Sequence, residues 1–115
     1  MKVVNLTSHT VRVVDDKGRS LLVVPPSGTT ARVTTQQAVV GSVAGVDVVR
    51  TVFGSVEGLP DPQDGVVFVV STLVLQALKS AGVDRTDVVS PDTSPASVVR
   101  DDKGQVVGVK RFQVL

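Results

Sequence analysis

The side chains from which a ligand site could be built are Asn5, Thr7, His9, Ser71, Thr72, Arg85, Asp92 and Arg100. His9 is the only histidine, so a Ser-His-Asp hydrolase would have to use it as the base. Its plainer reading is an ordinary hydrogen-bonding residue near a strand end. Ser71 stands between a valine run and a helical segment, the setting of a nucleophile elbow, but the flanking glycines are missing. Ser71 or Thr72 serves equally as a helix cap. The same turn would present free N–H groups and a positive dipole end to a phosphate, with two hydroxyls beside them. Arg85 or Arg100 could clamp that phosphate, and Asp92 could accept from a ribose hydroxyl. The competing reading of residues 84–94 is a solvated loop of turn-forming residues.

Other chemistries fare worse. One histidine, no cysteine and scattered aspartates match no zinc spacing, and no carboxylate cluster selects magnesium. No Walker, dinucleotide or Gly-x-Ser-x-Gly pattern occurs. Asp15-Asp16-Lys17-Gly18 and Asp101-Asp102-Lys103-Gly104 pair carboxylates, but turn chemistry explains both. They are two uses of one turn, not a solenoid repeat. The sequence calls for no cofactor and no metal.

These residues must be positioned by a chain of 115 residues, one domain's worth. A formal net charge of +1 gives no electrostatic case for nucleic acid or anionic lipid. Phe53, Phe68 and Phe112 are the only aromatics, too few for a stacking platform. Without cysteine there is no disulfide framework. The N-terminus lacks a signal peptide's apolar stretch, and no apolar run reaches the roughly 20 residues of a membrane helix. The expectation is a cytoplasmic protein, in which the Asn5-Leu6-Thr7 sequon has no meaning.

Valine is the commonest residue, and its branched side chain favours a pleated sheet. Hairpins are predicted for Val11–Val14 with Leu21–Val24, for Val39–Val43 with Val46–Phe53, and for the strands around Asp101–Gly104. Thr30–Thr34 reads as a separate half-buried strand, and 58–65 as a loop. Val66–Val70 reads as a strand covered on both faces. The helix is predicted over about 72–80, with Leu73, Ala77 and Leu78 on its apolar face and Gly82 after its end. Asp87–Val89 is a short strand stopped by Ser90-Pro91, and Gly108 marks a bulge. The fold class is α+β: a mostly antiparallel, curved or barrel-like sheet with one helix in a β-α-β crossover, in a single domain over 1–115.

Several segments carry a likeness. They are Asn5-Leu6-Thr7-Ser8-His9, Pro25-Pro26-Ser27-Gly28-Thr29, Gly58-Leu59-Pro60-Asp61-Pro62 and Val70-Ser71-Thr72-Leu73-Val74. Arg85-Thr86-Asp87-Val88-Val89 with Pro91-Asp92-Thr93, and Val98-Val99-Arg100-Asp101 with Gly104 and Val107-Gly108, complete it. The chain thereby resembles a family of small uncharacterised bacteriophage and actinobacterial proteins that open Asn-Leu-Thr-Pro-His. It departs from that pattern at Ser8, usually proline, and at Thr86, often Asp. The resemblance implies a phage or mobile-element setting and assigns no residue a role. Small proteins of such settings include sequestrants of host-defence nucleotide signals and virion decorations.

Three functions follow as expectations. The first is non-catalytic binding of a small phosphorylated or nucleotide-like ligand, in a homo-oligomer, with sequestration of a host-defence signal as its purpose. The second is a structural or assembly role in a virion, with the valine-rich strands and the apolar tail Phe112 to Leu115 adding to a neighbour's sheet edge. The third is a small hydrolase or phosphoesterase acting through His9. The first requires that folding join the N-terminal polar segment to the strand-to-helix turn.

Overall fold

The computed structural model describes residues 1–115. Its strands are β1 (Lys2–Asn5), β2 (Val11–Val14), β3 (Ser20–Val24), β4 (Arg32–Val43), β5 (Val46–Glu57), β6 (Val66–Val69), β7 (Val88–Pro91), β8 (Val98–Arg100), β9 (Val106–Val109) and β10 (Phe112–Gln113). The one helix, α1 (Thr72–Ser80), lies between β6 and β7. The first sheet has the order β1-β6-β7-β10, the second β3-β2-β9-β8, and β4 and β5 form a two-stranded ribbon. The protein is thus α+β with a single helix.

The first sheet has a parallel heart. Both β1 and β7 run parallel to β6, and β10 closes one edge antiparallel to β7. The β6-α1-β7 crossover therefore has the predicted form. Elsewhere antiparallel hairpins predominate, apart from the single parallel pair Val13–Val109 that joins β2 to β9. The sheets are open rather than barrel-like. Between the two four-stranded sheets the only bridge is an isolated parallel one, Asn5 with Pro26 just past β3, so no continuous ladder closes on itself.

The core forms where α1 lies on the parallel strands. Leu6, Ala31, Phe68, Val70, Val74, Leu75, Leu78 and Val88 make one buried cluster. Val69 and Val70 are wholly buried, as the apolar run predicts for a covered strand. The helix buries Val74, Leu75, Ala77 and Leu78; Leu73, expected on that face, falls on its flank and stays 43% exposed. Ser71 Oγ caps the helix by accepting from the Val74 N–H at 3.2 Å. Gly82 ends it at φ +73°, with its own N–H donating to Lys79 O and the Val83 N–H to Leu78 O.

The two Asp-Asp-Lys-Gly tips are built alike. Asp15 Oδ1 accepts from the Lys17 and Arg19 N–H groups, and Asp101 Oδ1 from those of Lys103 and Gln105. Strand β7 runs on through Pro91, its last residue, where no further ladder N–H is needed. The predicted strand 30–34 and the predicted hairpin merge into one long ribbon. Its polar middle, Thr35-Gln36-Gln37, pairs with Phe53, Val52 and Thr51 in that order without being buried. The two-residue turn Ala44-Gly45 has φ of 52° and 79°, the left-handed pair that suits a tight hairpin.

Gly108 lies where β9 crosses closest to β2, beside the bulge that offsets Val99 from Arg100 in their pairing. A Cβ there would stand 2.7 Å from Arg12 O and 3.1 Å from Val14 Cγ1. Gly108→Val therefore pushes the two strands apart. It is expected to lower unfolding stability by about 1–3 kcal/mol in urea titration, the usual range for overpacking. A full-stability Gly108→Val variant would contradict this close approach.

Candidate functional site

The carboxyl ends of β1, β6 and β7 point the same way and open onto one cleft. Open parallel sheets place ligands at that edge, outside the strand ends. The cleft has a volume of about 440 Å³. Thr7, His9 and Thr10 enter from the β1–β2 connection and Arg12 from β2. Ser71 and Thr72 enter from the β6–α1 turn, and Pro91 and Thr93 from the end of β7. Val11, Val106, Val107 and Val109 supply an apolar wall. The N-terminal motif and the strand-to-helix turn, distant in sequence, thus face one another.

Asn5 does not line the cleft; it builds it. Its side chain is 1% exposed. The Nδ2 group donates to His9 O at 2.7 Å and to Val24 O at 2.9 Å. The Oδ1 atom accepts from Thr7 N at 2.9 Å and from Thr7 Oγ1 at 2.6 Å. One amide thereby folds residues 5–9 over the end of β1 and ties them to β3. The Leu6 N–H donates to Val69 O, which seats this loop beside the end of β6.

The polar lining is cationic and hydroxylic. Arg12 forms no salt bridge, whereas Arg19, Arg85, Lys110 and Arg111 are each paired with an aspartate. No aspartate or glutamate lines the cleft. Ser71 Oγ uses a lone pair for capping, which leaves its O–H to donate. Thr72 Oγ1 lies 3.4 Å from Ser90 Oγ and accepts from Gln113 Nε2 at 3.3 Å. The ring of His9 makes no hydrogen bond to Ser71 or to any carboxylate; the contacts of this residue run through its backbone.

Three expected ligand residues lie elsewhere, each engaged. Arg85 grips Asp87 through two bonds of 2.9 and 2.7 Å and donates to Pro60 O at 2.9 Å. It also lies 5.9 Å from the Phe68 ring centroid. This clamp ties the 58–65 loop to the start of β7 and holds the Asp87 carboxyl below its usual range, chiefly by hydrogen bonding. Arg85 borders a different cavity of about 270 Å³, shared with Leu75, Leu78 and Leu115. Arg100 donates to Gly104 O at 2.8 Å and steadies its own hairpin.

Asp92 follows β7 but is turned to Arg111, whose Nε lies 2.5 Å from its Oδ2. The Arg111 bond first, and the Ser94 N–H second, lower its carboxyl to about 2. It is therefore occupied rather than free for a ribose. A depressed carboxyl contributes stability that is complete above its unfolded value and fades as pH falls through the folded one. Wild-type melting temperature is expected to fall between about pH 4 and pH 2, and Asp92→Asn to flatten that part of the curve. Parallel curves for the two proteins would show that the Arg111 pair adds nothing.

Arg12, Thr10 and Thr93 are lining residues not selected from the sequence. Arg12 had a signal: Val11 and Val13 are the inward residues of β2, so Arg12 must project from the other face. Thr93 follows the end of a strand in a crossover, where ligand loops concentrate. Among known proteins, the chain matches no family model, no curated protein and no solved structure.

Proposed function

We infer that this protein is a non-catalytic binder of a small phosphorylated, nucleotide-like ligand, held in the cleft at the carboxyl edge of β1, β6 and β7. One observation carries the reading. The lining combines an unpaired arginine, five hydroxyl residues and a capped helix N-terminus with no carboxylate. A phosphate is the group that such a set suits, since every polar partner can donate to it. The valine wall with Pro91 then offers an apolar seat for a base or similar ring. A binding role rather than hydrolysis is favoured because His9 has no nucleophile and no orienting carboxylate in hydrogen-bond contact. In the phage setting implied by the resemblance, such a binder would act by sequestering a host nucleotide signal.

A thermal-shift panel tests this directly. Mono-, di- and cyclic nucleotides, their nucleosides and inorganic phosphate are compared at equal concentration. A ligand present at a hundred times its Kd stabilises the fold by about 2.7 kcal/mol, a shift easily read. Phosphorylated compounds are expected to raise the melting temperature and their nucleosides to have little effect. A panel with no stabilising phosphate compound removes the proposal.

A further inference from the structure

The β4–β5 ribbon is an arm with valines on both sides and little to cover them. At its base, Val33 and Val56 pair with each other and pack on the core. Toward its tip, Val46 pairs with Val43, Val48 follows on the same face at two-residue spacing, and Val52 lies on that face beyond Arg50. Val43 and Val46 are each 67% exposed. The opposite face sets Val39 against Val49, also exposed. Both outer edges of the ribbon are unpaired, because its sheet has only two strands. A lone two-stranded ribbon is marginal in water, and exposed apolar edges invite pairing.

The extra exposed surface is of the size that a dimer buries. The chain exposes 7643 Å². A compact monomer of 12.0 kDa should expose about 6,000 Å². The surplus, roughly 1,600 Å², is about twice the roughly 800 Å² that one partner buries in a standard interface, and lies in the range of permanent dimers. The shape agrees: the radius of gyration is 16.4 Å, against about 13 Å for a compact domain of this length. The charges of the ribbon as a whole cancel, Arg32 and Arg50 against Asp47 and Glu57, and Arg50 is the one charge among Val46, Val48 and Val52 on their face.

We propose that the ribbon is a dimerisation arm whose occupant is the ribbon of a second copy of this chain, packed valine face to valine face across a two-fold axis. A two-fold contact closes on itself, whereas a head-to-tail one would propagate into filaments. The arm is independent of the ligand reading, since none of its residues lines the cleft.

Sedimentation equilibrium of the full chain, with Val46→Asp/Val48→Asp beside it, is the test. Wild type is expected to be a dimer at micromolar concentration, and the double variant to dissociate at least about a hundredfold more readily. Its thermal unfolding should remain cooperative, because neither changed valine belongs to the buried core cluster. A covalent readout stands beside it, since the chain has no cysteine. Val46→Cys should cross-link into a disulfide dimer on oxidation, and Lys103→Cys, on a different hairpin tip, should not. A monomeric wild type overturns the proposal. So does a dimer that survives the double variant, or equal cross-linking at both positions.

Discussion

Arg12→Glu is expected to weaken binding of a phosphorylated ligand by roughly two to three orders of magnitude while leaving the fold intact. The size follows from what the guanidinium would do. It is the one arginine that borders the cleft, and it has no aspartate partner to neutralise it. A charge-assisted bond to phosphate contributes about 1.5–3 kcal/mol, and reversing the charge adds repulsion of similar size. Each 1.4 kcal/mol corresponds to a tenfold change in affinity. The fold should not notice, because the side chain is exposed and unpaired in β2. Calorimetric titration with the best ligand of the panel, alongside melting curves, reads both effects. Arg12→Lys should recover part of the affinity, since it restores the charge but not the two-pronged geometry. An Arg12→Glu variant that binds as wild type would place the ligand elsewhere.

Asn5→Ala is expected to lower stability by about 3 kcal/mol. Asn5 makes four hydrogen bonds from a buried position. Removing it leaves Val24 O and the Thr7 N–H without these partners and His9 O with only Thr7 Oγ1, and a buried group so stranded costs about 1–3 kcal/mol. For a domain of this length that corresponds to a melting-temperature drop of roughly 10 °C or more. Asn5→Asp is the sharper comparison. It keeps shape and volume but sets a carboxylate oxygen against the carbonyls of His9 and Val24, where an N–H₂ donor now stands. It should therefore be no better tolerated than alanine at neutral pH. A melting temperature within a degree or two of wild type for both variants would contradict the scaffold role.

Local chemistry was legible in the sequence, and long-range pairing was not. The Asp-Asp-Lys-Gly turns, the Ala44-Gly45 turn, the capped helix and Gly82 each declare themselves within a few residues. All are found where the pattern puts them. Parallel contacts such as β1 with β6 and β2 with β9 join segments roughly 60 to 100 residues apart and leave no local mark. Single strands therefore carry no sign of whether their sheet closes into a barrel or stays open. The site shows the same split. Thr7, His9, Ser71 and Thr72 converge, because polar residues at strand ends in a crossover have few other places to go. Arg85, Asp92 and Arg100 have the charge, and the first two the loop setting, that suit a ligand, but neither charge nor setting reveals a partner. Arg85 had Asp87 two residues away, but Asp92 met Arg111 only through the β7–β10 pairing. Asn5 looks the same in sequence whether it scaffolds a loop or greets a ligand; only its burial decides.

Everything functional rests on phosphate being held where the β1 loop faces the first turn of α1. Amide chemical-shift mapping of ¹⁵N-labelled protein during nucleotide titration examines that placement residue by residue. Shifts are predicted at Thr7 to Arg12, at Ser71 to Leu73 and at Thr93, saturating together. Saturable shifts that instead gather around Arg85 and Leu115, or at the charged hairpin tips, would contradict the account.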